Sequence, residues 1–105
     1  MPKDKLAINE IIWQIVASVP KGNVVTYGQV AKLAGYPSHA RYVGATLKNL
    51  PKDSILPRHR VVNAKGELSF PRDSEQHQQQ KSLLEAEGVM FKTFKLSLST
   101  YGLYH

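Results

Sequence analysis

No cysteine occurs among the 105 residues, which removes disulfides, thiolate nucleophiles and cysteine-ligated zinc from the chemistry open to the chain. No apolar run approaches the roughly 20 residues that span a bilayer. The charged opening MPKDKLAINE also lacks the apolar stretch of a secretory signal. A soluble, cytoplasmic protein is expected. Internal repeats, linkers and low-complexity tracts are absent too, and the length suits one domain over residues 1–105. Around His59 no second carboxylate or metal ligand stands at a suggestive spacing, so neither a hydrolytic pair nor a metal site is indicated, and no cofactor is expected.

Positive charge is present, and it is unevenly placed. Lysine and arginine number 14 against 8 acidic residues, for a net charge of +6. Residues 1–65 hold 10 of the basic and 3 of the acidic residues, whereas 66–105 hold 4 and 5. The whole excess therefore coincides with the segment whose pattern best suits nucleic acid.

Leu6, Ile8, Ile11, Ile12, Ile15, Val16 and Val19 fall largely on one face of a helix, which Pro20-Lys21-Gly22 then stops. Trp13 within it reads as a packing residue. Val24-Val25 is extended, and Thr26 with Gln29 forms a capping box for a helix through Ala34, with Gly35 as its stop. Pro37-Ser38 offers a turn and an N-cap for a helix from His39 to Asn49, with Ala40, Val43, Gly44 and Leu47 inward. Two short helices around a glycine turn make a helix-turn-helix, a pattern shared by DNA readers and by purely structural hairpins. LPKDSILP, residues 50–57, reads as a loop delivering the chain to Arg58. Val61-Val62, a turn over Asn63 to Gly66, and Leu68 to Phe70 predict two extended segments forming a small wing. Ser74 caps a helix through Ala86 that buries Leu83 and Leu84, turns HQQQK to solvent and stops at Gly88. Leu96 to Ser99 alternates as a short strand or extended tail would.

Leu56-Pro57-Arg58-His59-Arg60-Val61-Val62 resembles the Pro-Cys-His-Arg-Val active-site motif of the O6-alkylguanine-DNA alkyltransferases, with Arg58 in the cysteine position. Val24 to Ala31 is similar to that family's helix-turn-helix opening, Arg41-Tyr42-Val43-Gly44 to its recognition helix, and Lys81 to Gly88 to its closing helix. Together these motifs cover roughly residues 8–90, in family order, and correspond only to the C-terminal DNA-binding domain. With cysteine replaced, the chain resembles the alkyltransferase-like proteins. An arginine is cationic and no nucleophile, so alkyl transfer to this position is excluded by its chemistry.

The resemblance implies an α+β fold in a small single domain, a winged helix-turn-helix as in the alkyltransferase C-terminal domain. It further implies a monomer that binds double-stranded DNA containing O6-alkylguanine by minor-groove docking and base flipping, with nucleotide excision repair proteins as further partners. No residue is expected to be catalytic. The DNA face it implies comprises Tyr27, Gly28, Gln29, Ser38, Ala40, Arg41, Gly44 and Lys48. Arg41 would enter the stack in place of the flipped base, Tyr27 would press on the 3′ phosphate, and Gly44 would permit close approach. Tyr27, Arg58, Val61 and Ser69 would line the lesion pocket, with Arg58 contacting the guanine by stacking or hydrogen bonding. His59, Arg60, Asn63 and Glu87 would remain as scaffold. Pro71-Arg72-Asp73 departs from the family's more glycine-rich stretch at the pocket. Two competing readings use the same scaffold: a transcriptional regulator reading one fixed sequence, and a glycosylase forming a Schiff base through Lys48, Lys52 or Lys65.

Overall fold

The computed structural model describes residues 5–104, with side chains from Ile8 onward; the Leu6 side chain and the charged N-terminal residues 1–4 lie outside the described residues. In chain order the elements are α1 (Lys5–Ala17), β1 (Val25–Thr26), α2 (Tyr27–Leu33), α3 (Ala40–Lys48), a 3-10 turn (Arg58–Arg60), β2 (Val61–Val62), α4 (Glu75–Ala86), β3 (Phe91–Lys92), β4 (Lys95–Leu96) and α5 (Leu98–Tyr101). This is an α+β fold.

A short parallel sheet divides the core. β1 and β2 pair with Val25 opposite Val61 and Thr26 opposite Val62, and alternate side chains of a strand leave by opposite faces. Val25 and Val61 accordingly join Ile12, Val16, Val30, Val43 and Leu47 in the core under α1, α2 and α3. Val24 and Val62 join Leu68, Leu84, Val89 and Leu96 in a second core under α4. All four valines are completely buried. Val61-Val62 forms no wing with Leu68 to Phe70: its backbone pairs with β1, and its two faces are buried in the two cores. Instead Asn63 shapes a turn, its Oδ1 accepting from the N–H groups of Lys65 at 2.9 Å and Glu67 at 3.0 Å. The antiparallel hairpin is β3–β4, with Phe91 opposite Leu96.

The helix-turn-helix follows from local signals. Thr26 Oγ1 accepts from Gln29 N at 3.1 Å and Gln29 Oε1 accepts from Thr26 N at 2.9 Å, completing the capping box. α2 ends with Gly35 at φ +90°. The N–H groups of Gly35 and Tyr36 then return to Lys32 O and Ala31 O, a Schellman closure. α3 starts one residue later than expected. His39 occupies the cap without a side-chain bond, because the Ser38 hydroxyl lies 3.3 Å from His39 Nδ1 rather than over the helix N–H groups.

Three further expectations are corrected in the C-terminal part. Leu84 is fully buried but Leu83 is half exposed, since consecutive helical positions point about 100° apart. Within HQQQK, His77 and Gln80 are buried; they precede Leu84 by seven and four residues and so share its face. Leu96 ends β4, and Leu98 begins a helical turn rather than an extended tail, because Ser97 caps it by accepting from Thr100 N at 3.2 Å. None of the described helices is long and apolar enough to cross a membrane.

Two glycines separate strain from collision. At Gly66 (φ +79°) an added Cβ would stand 2.5 Å from Leu96 O, whereas at Gly35 it would meet nothing within 4 Å. Gly35→Ala is expected to cost about 1 kcal/mol, for the left-handed backbone alone. Gly66→Ala should cost about 2 kcal/mol or more, because β4 must also move. Urea unfolding of both variants measures the difference; equal losses would contradict it.

Candidate nucleic-acid interface

α3 presents a free cation at its start. Arg41 lies in the first turn, exposed, and makes no hydrogen bond or ion pair among the described residues. The first turn contains no acidic residue, so the positive end of the helix dipole is not neutralised locally. Lys48 stands exposed in the last turn. Between them Gly44 faces Tyr27: a Cβ there would touch Tyr27 Cε1 at 3.7 Å. The Tyr27 hydroxyl accepts from Ser69 Oγ at 3.0 Å, which leaves its own proton for an outside acceptor. Arg41, Gly44 and Lys48 therefore share α3, with Tyr27 and Ser69 beside its middle. Gly28 and Ser38 are exposed and Ala40 is half-buried.

Gln29 is tied into the fold through both ends of its amide. Its Oε1 is held by the capping box and its Nε2 donates to Tyr104 O at 2.8 Å. Both ends of the amide are occupied.

The four residues expected to line one pocket divide differently. Tyr27 and Ser69 are joined, as above. Val61 is completely buried and cannot line an open pocket; its carbonyl instead accepts from Gln80 Nε2 at 3.2 Å. Arg58 is half-buried and its guanidinium is turned to the end of α3, where Nη1 donates to Leu47 O and Leu50 O, each at 3.1 Å. Its Nη1 is thereby committed to backbone oxygens. A cleft of about 410 Å³ between α1 and α3 is lined by Asn9, Trp13, Tyr42, Thr46, Asn49 and Pro51, among others, and contains none of the four. Trp13 packs against the core as expected.

His59, Arg60 and Glu87 form one network. The buried Glu87 carboxylate accepts from Arg60 Nε at 2.9 Å and Nη2 at 2.7 Å, a bidentate fork. It also accepts from Gly22 N at 3.3 Å. A carboxylate only accepts, so His59 Nε2, at 2.8 Å, is the donor. Arg60 Nη1 continues to Val19 O at 2.8 Å. Gln80 Nε2 bonds the His59 carbonyl at 3.0 Å as well as Val61 O. Gln80 was the residue sequence reasoning missed, and its spacing from Leu84 was the available signal.

Burial pushes the Glu87 pKa up, but the hydrogen bonds from Arg60, His59 and the Gly22 N–H outweigh it and lower the value from 4.5 to about 2. A depressed carboxylate stabilises the fold fully above its unfolded pKa, and that contribution is lost as pH falls from about 4.5 toward 2. Glu87→Gln should therefore cost about 2 kcal/mol or more at pH 7, because it leaves Arg60 without its counter-ion. The gap to the unsubstituted protein should narrow as pH drops to 3 and below. Urea unfolding across that range checks it, and a gap independent of pH would refute the assignment.

A family model described as the DNA binding domain of 6-O-methylguanine DNA methyltransferase matches residues 7–89. A DNA base-flipping protein of Escherichia coli K12 is 57% identical over 79 residues, 75% of this chain and 60% of that relative, so the match spans under two thirds of the relative's length. Alkyltransferase-like protein 1 of Schizosaccharomyces pombe is 40% identical over 92 residues, covering 88% of this chain and 83% of that one. The crystal structure of S. pombe Atl1 with damaged DNA containing O6-carboxymethylguanine superimposes with a TM-score of 0.90 at 35% identity, over 98% of this chain and 100% of that one. With no cysteine in its sequence, this protein belongs to the DNA-binding-domain family of the 6-O-methylguanine DNA methyltransferases, among its alkyltransferase-like members.

Proposed function

We propose that this protein senses DNA damage without repairing it: it binds duplex DNA containing O6-alkylguanine, lays α3 in the minor groove and turns the damaged nucleotide out of the stack. The observation that carries this reading is the unpartnered Arg41 at the start of α3, with the Tyr27 hydroxyl and the Gly44 surface beside it. A planar guanidinium suits the space a flipped base vacates, and a phenol with a free proton suits a phosphate oxygen. Gly44 carries no side chain to hold α3 away from the groove floor. The basic excess over residues 1–65 favours approach to the duplex. Support also comes from relatives named for base flipping and from Atl1 bound to DNA containing O6-carboxymethylguanine.

No alkyl group moves to protein in this reading, because Arg58 offers no thiolate and no cysteine replaces it. The protein acts as a cytoplasmic monomer, and its complex marks the lesion for nucleotide excision repair proteins.

Binding to matched duplexes with guanine or O6-methylguanine tests the reading. Preference for the lesion in several sequence contexts is expected, with intact masses of protein and oligonucleotide unchanged after incubation. Preference for one fixed sequence regardless of the lesion, or a methyl-sized gain in protein mass, would overturn it. Arg41→Ala should weaken lesion binding by about 2 kcal/mol, with a smaller effect on undamaged duplex, because unstacking is then uncompensated. Lys48→Ala should instead weaken both duplexes alike and lower the salt slope by about one unit.

A further inference from the structure

We infer that Arg58 is a positioning residue for lesion recognition: it fastens the end of loop 50–57 to the C-terminus of α3, fixing the loop's geometry before DNA arrives. The inference rests on the sensor reading for its link to the lesion, but the tether stands on geometry alone.

At its start Leu50 packs against the core, but past it the loop has few other ties. Its prolines, Pro51 and Pro57, provide no N–H. Its remaining bonds are local: Leu50 N to Leu47 O at 3.3 Å, Ser54 N to Pro51 O at 3.0 Å, Leu56 N to Ser54 Oγ at 3.3 Å, Arg58 N to Leu56 O at 2.8 Å and Arg60 N to Pro57 O at 3.0 Å. Ile55 projects from it almost wholly exposed, at 98%, so no apolar contact of that side chain anchors the loop. Among the described residues, the Arg58 guanidinium makes the only side-chain hydrogen bond from the loop's end to the helix before it, reaching back eleven residues to Leu47, and it also closes the loop on its own first residue, Leu50, eight residues back.

The chemistry favours the link. The carbonyls at a helix C-terminus carry partial negative charge. Leu47 O lies in the last turn of α3 and Leu50 O two residues beyond its end, so a cation donating to both meets that charge with charge-assisted bonds. A cysteine could not do so, since its side chain is short and its S–H a weak donor. The residue at the nucleophile position has thus become a strut. Arg41 sits at one end of α3 and the strut at the other, so the loop and the residue proposed to enter the DNA are held in one frame.

Amide hydrogen exchange of the DNA-free protein, together with binding to guanine and O6-methylguanine duplexes, tests this. Arg58→Met keeps the stem and removes the donors. It should speed exchange across residues 48–56 by about tenfold while leaving α1 and α4 unchanged, because the loop then opens locally. It should also reduce the ratio of lesion to undamaged affinity several-fold with the salt slope intact. Arg58→Lys, whose ammonium can still donate to the carbonyls, should recover most of both. Unaltered exchange in the DNA-free Arg58→Met protein would overturn the tether, as would equal loss on both duplexes with a salt slope lower by about one unit, which marks a phosphate contact. Were Arg58→Met unable to fold, Arg58→Gln, too short to span both carbonyls, decides the question by the same measurements. If the unsubstituted protein shows no preference for the lesion, the sensor reading fails while the exchange comparison still judges the tether.

Discussion

The fold turns on one buried carboxylate. Glu87 receives Arg60, His59 and the Gly22 N–H, and Arg60 passes the connection to Val19 at the end of the first-helix segment. Three distant stretches of chain meet there: the turn after α1, the 3-10 turn that follows the loop, and the cap of α4. Its position is set locally by the way α4 ends, with Gly88 N bonding Glu85 O and Val89 N bonding Leu84 O. The same closure drives Val89 into the core beside Leu84. A carboxylate removed from water is tolerable because each oxygen has charged or N–H donors. With no thiol to activate, the network holds the 3-10 turn in place.

The two ends of α3 use arginine in opposite ways. Arg41 at the positive end has no hydrogen-bond or ion-pair partner among the described residues. Arg58 at the negative end donates through Nη1 to two backbone oxygens. The helix dipole favours the second arrangement and disfavours the first. The same positive helix end favours an anion brought from outside, in keeping with the role proposed for Arg41.

Signals confined to a few residues could be read from the sequence. The Thr26–Gln29 box, the Ser74 cap and the glycine stops at Gly35 and Gly88 each depend on neighbours within five positions, and the structure has them. The wing failed because the partner of Val61-Val62 lies 36 residues upstream, and nothing in the turn chemistry of Asn63 to Gly66 reveals a parallel mate. Gln80 and His77 are buried despite their polarity, because their positions four and seven residues before Leu84 set the face they occupy. At the site, Arg60, His59 and Glu87 could be grouped by resemblance, but the direction of Arg58 could not: its choice between a pocket and two carbonyls is decided by where α3 ends in space. Gln29 shows the same limit, since its second partner is the backbone of Tyr104.

That distant partner has a consequence for how the molecule is made. Val24, just before the helix-turn-helix, bonds the backbone of Tyr101 and Leu103 on the edge away from β2, and Gln29 reaches Tyr104. Residues 101–104, far along the chain from Val24, thus complete the sheet edge beside which the two helices are mounted. During synthesis, α1, α2 and α3 can collapse onto one another early, since their contacts are near in sequence. The strand that anchors them stays open on one edge, a pairing surface for any other extended segment, until residues 101–104 are free to dock. The helix-turn-helix is therefore braced on this edge only once residues 101–104 have been made, and the bracing consists of a few backbone bonds between segments far apart in sequence.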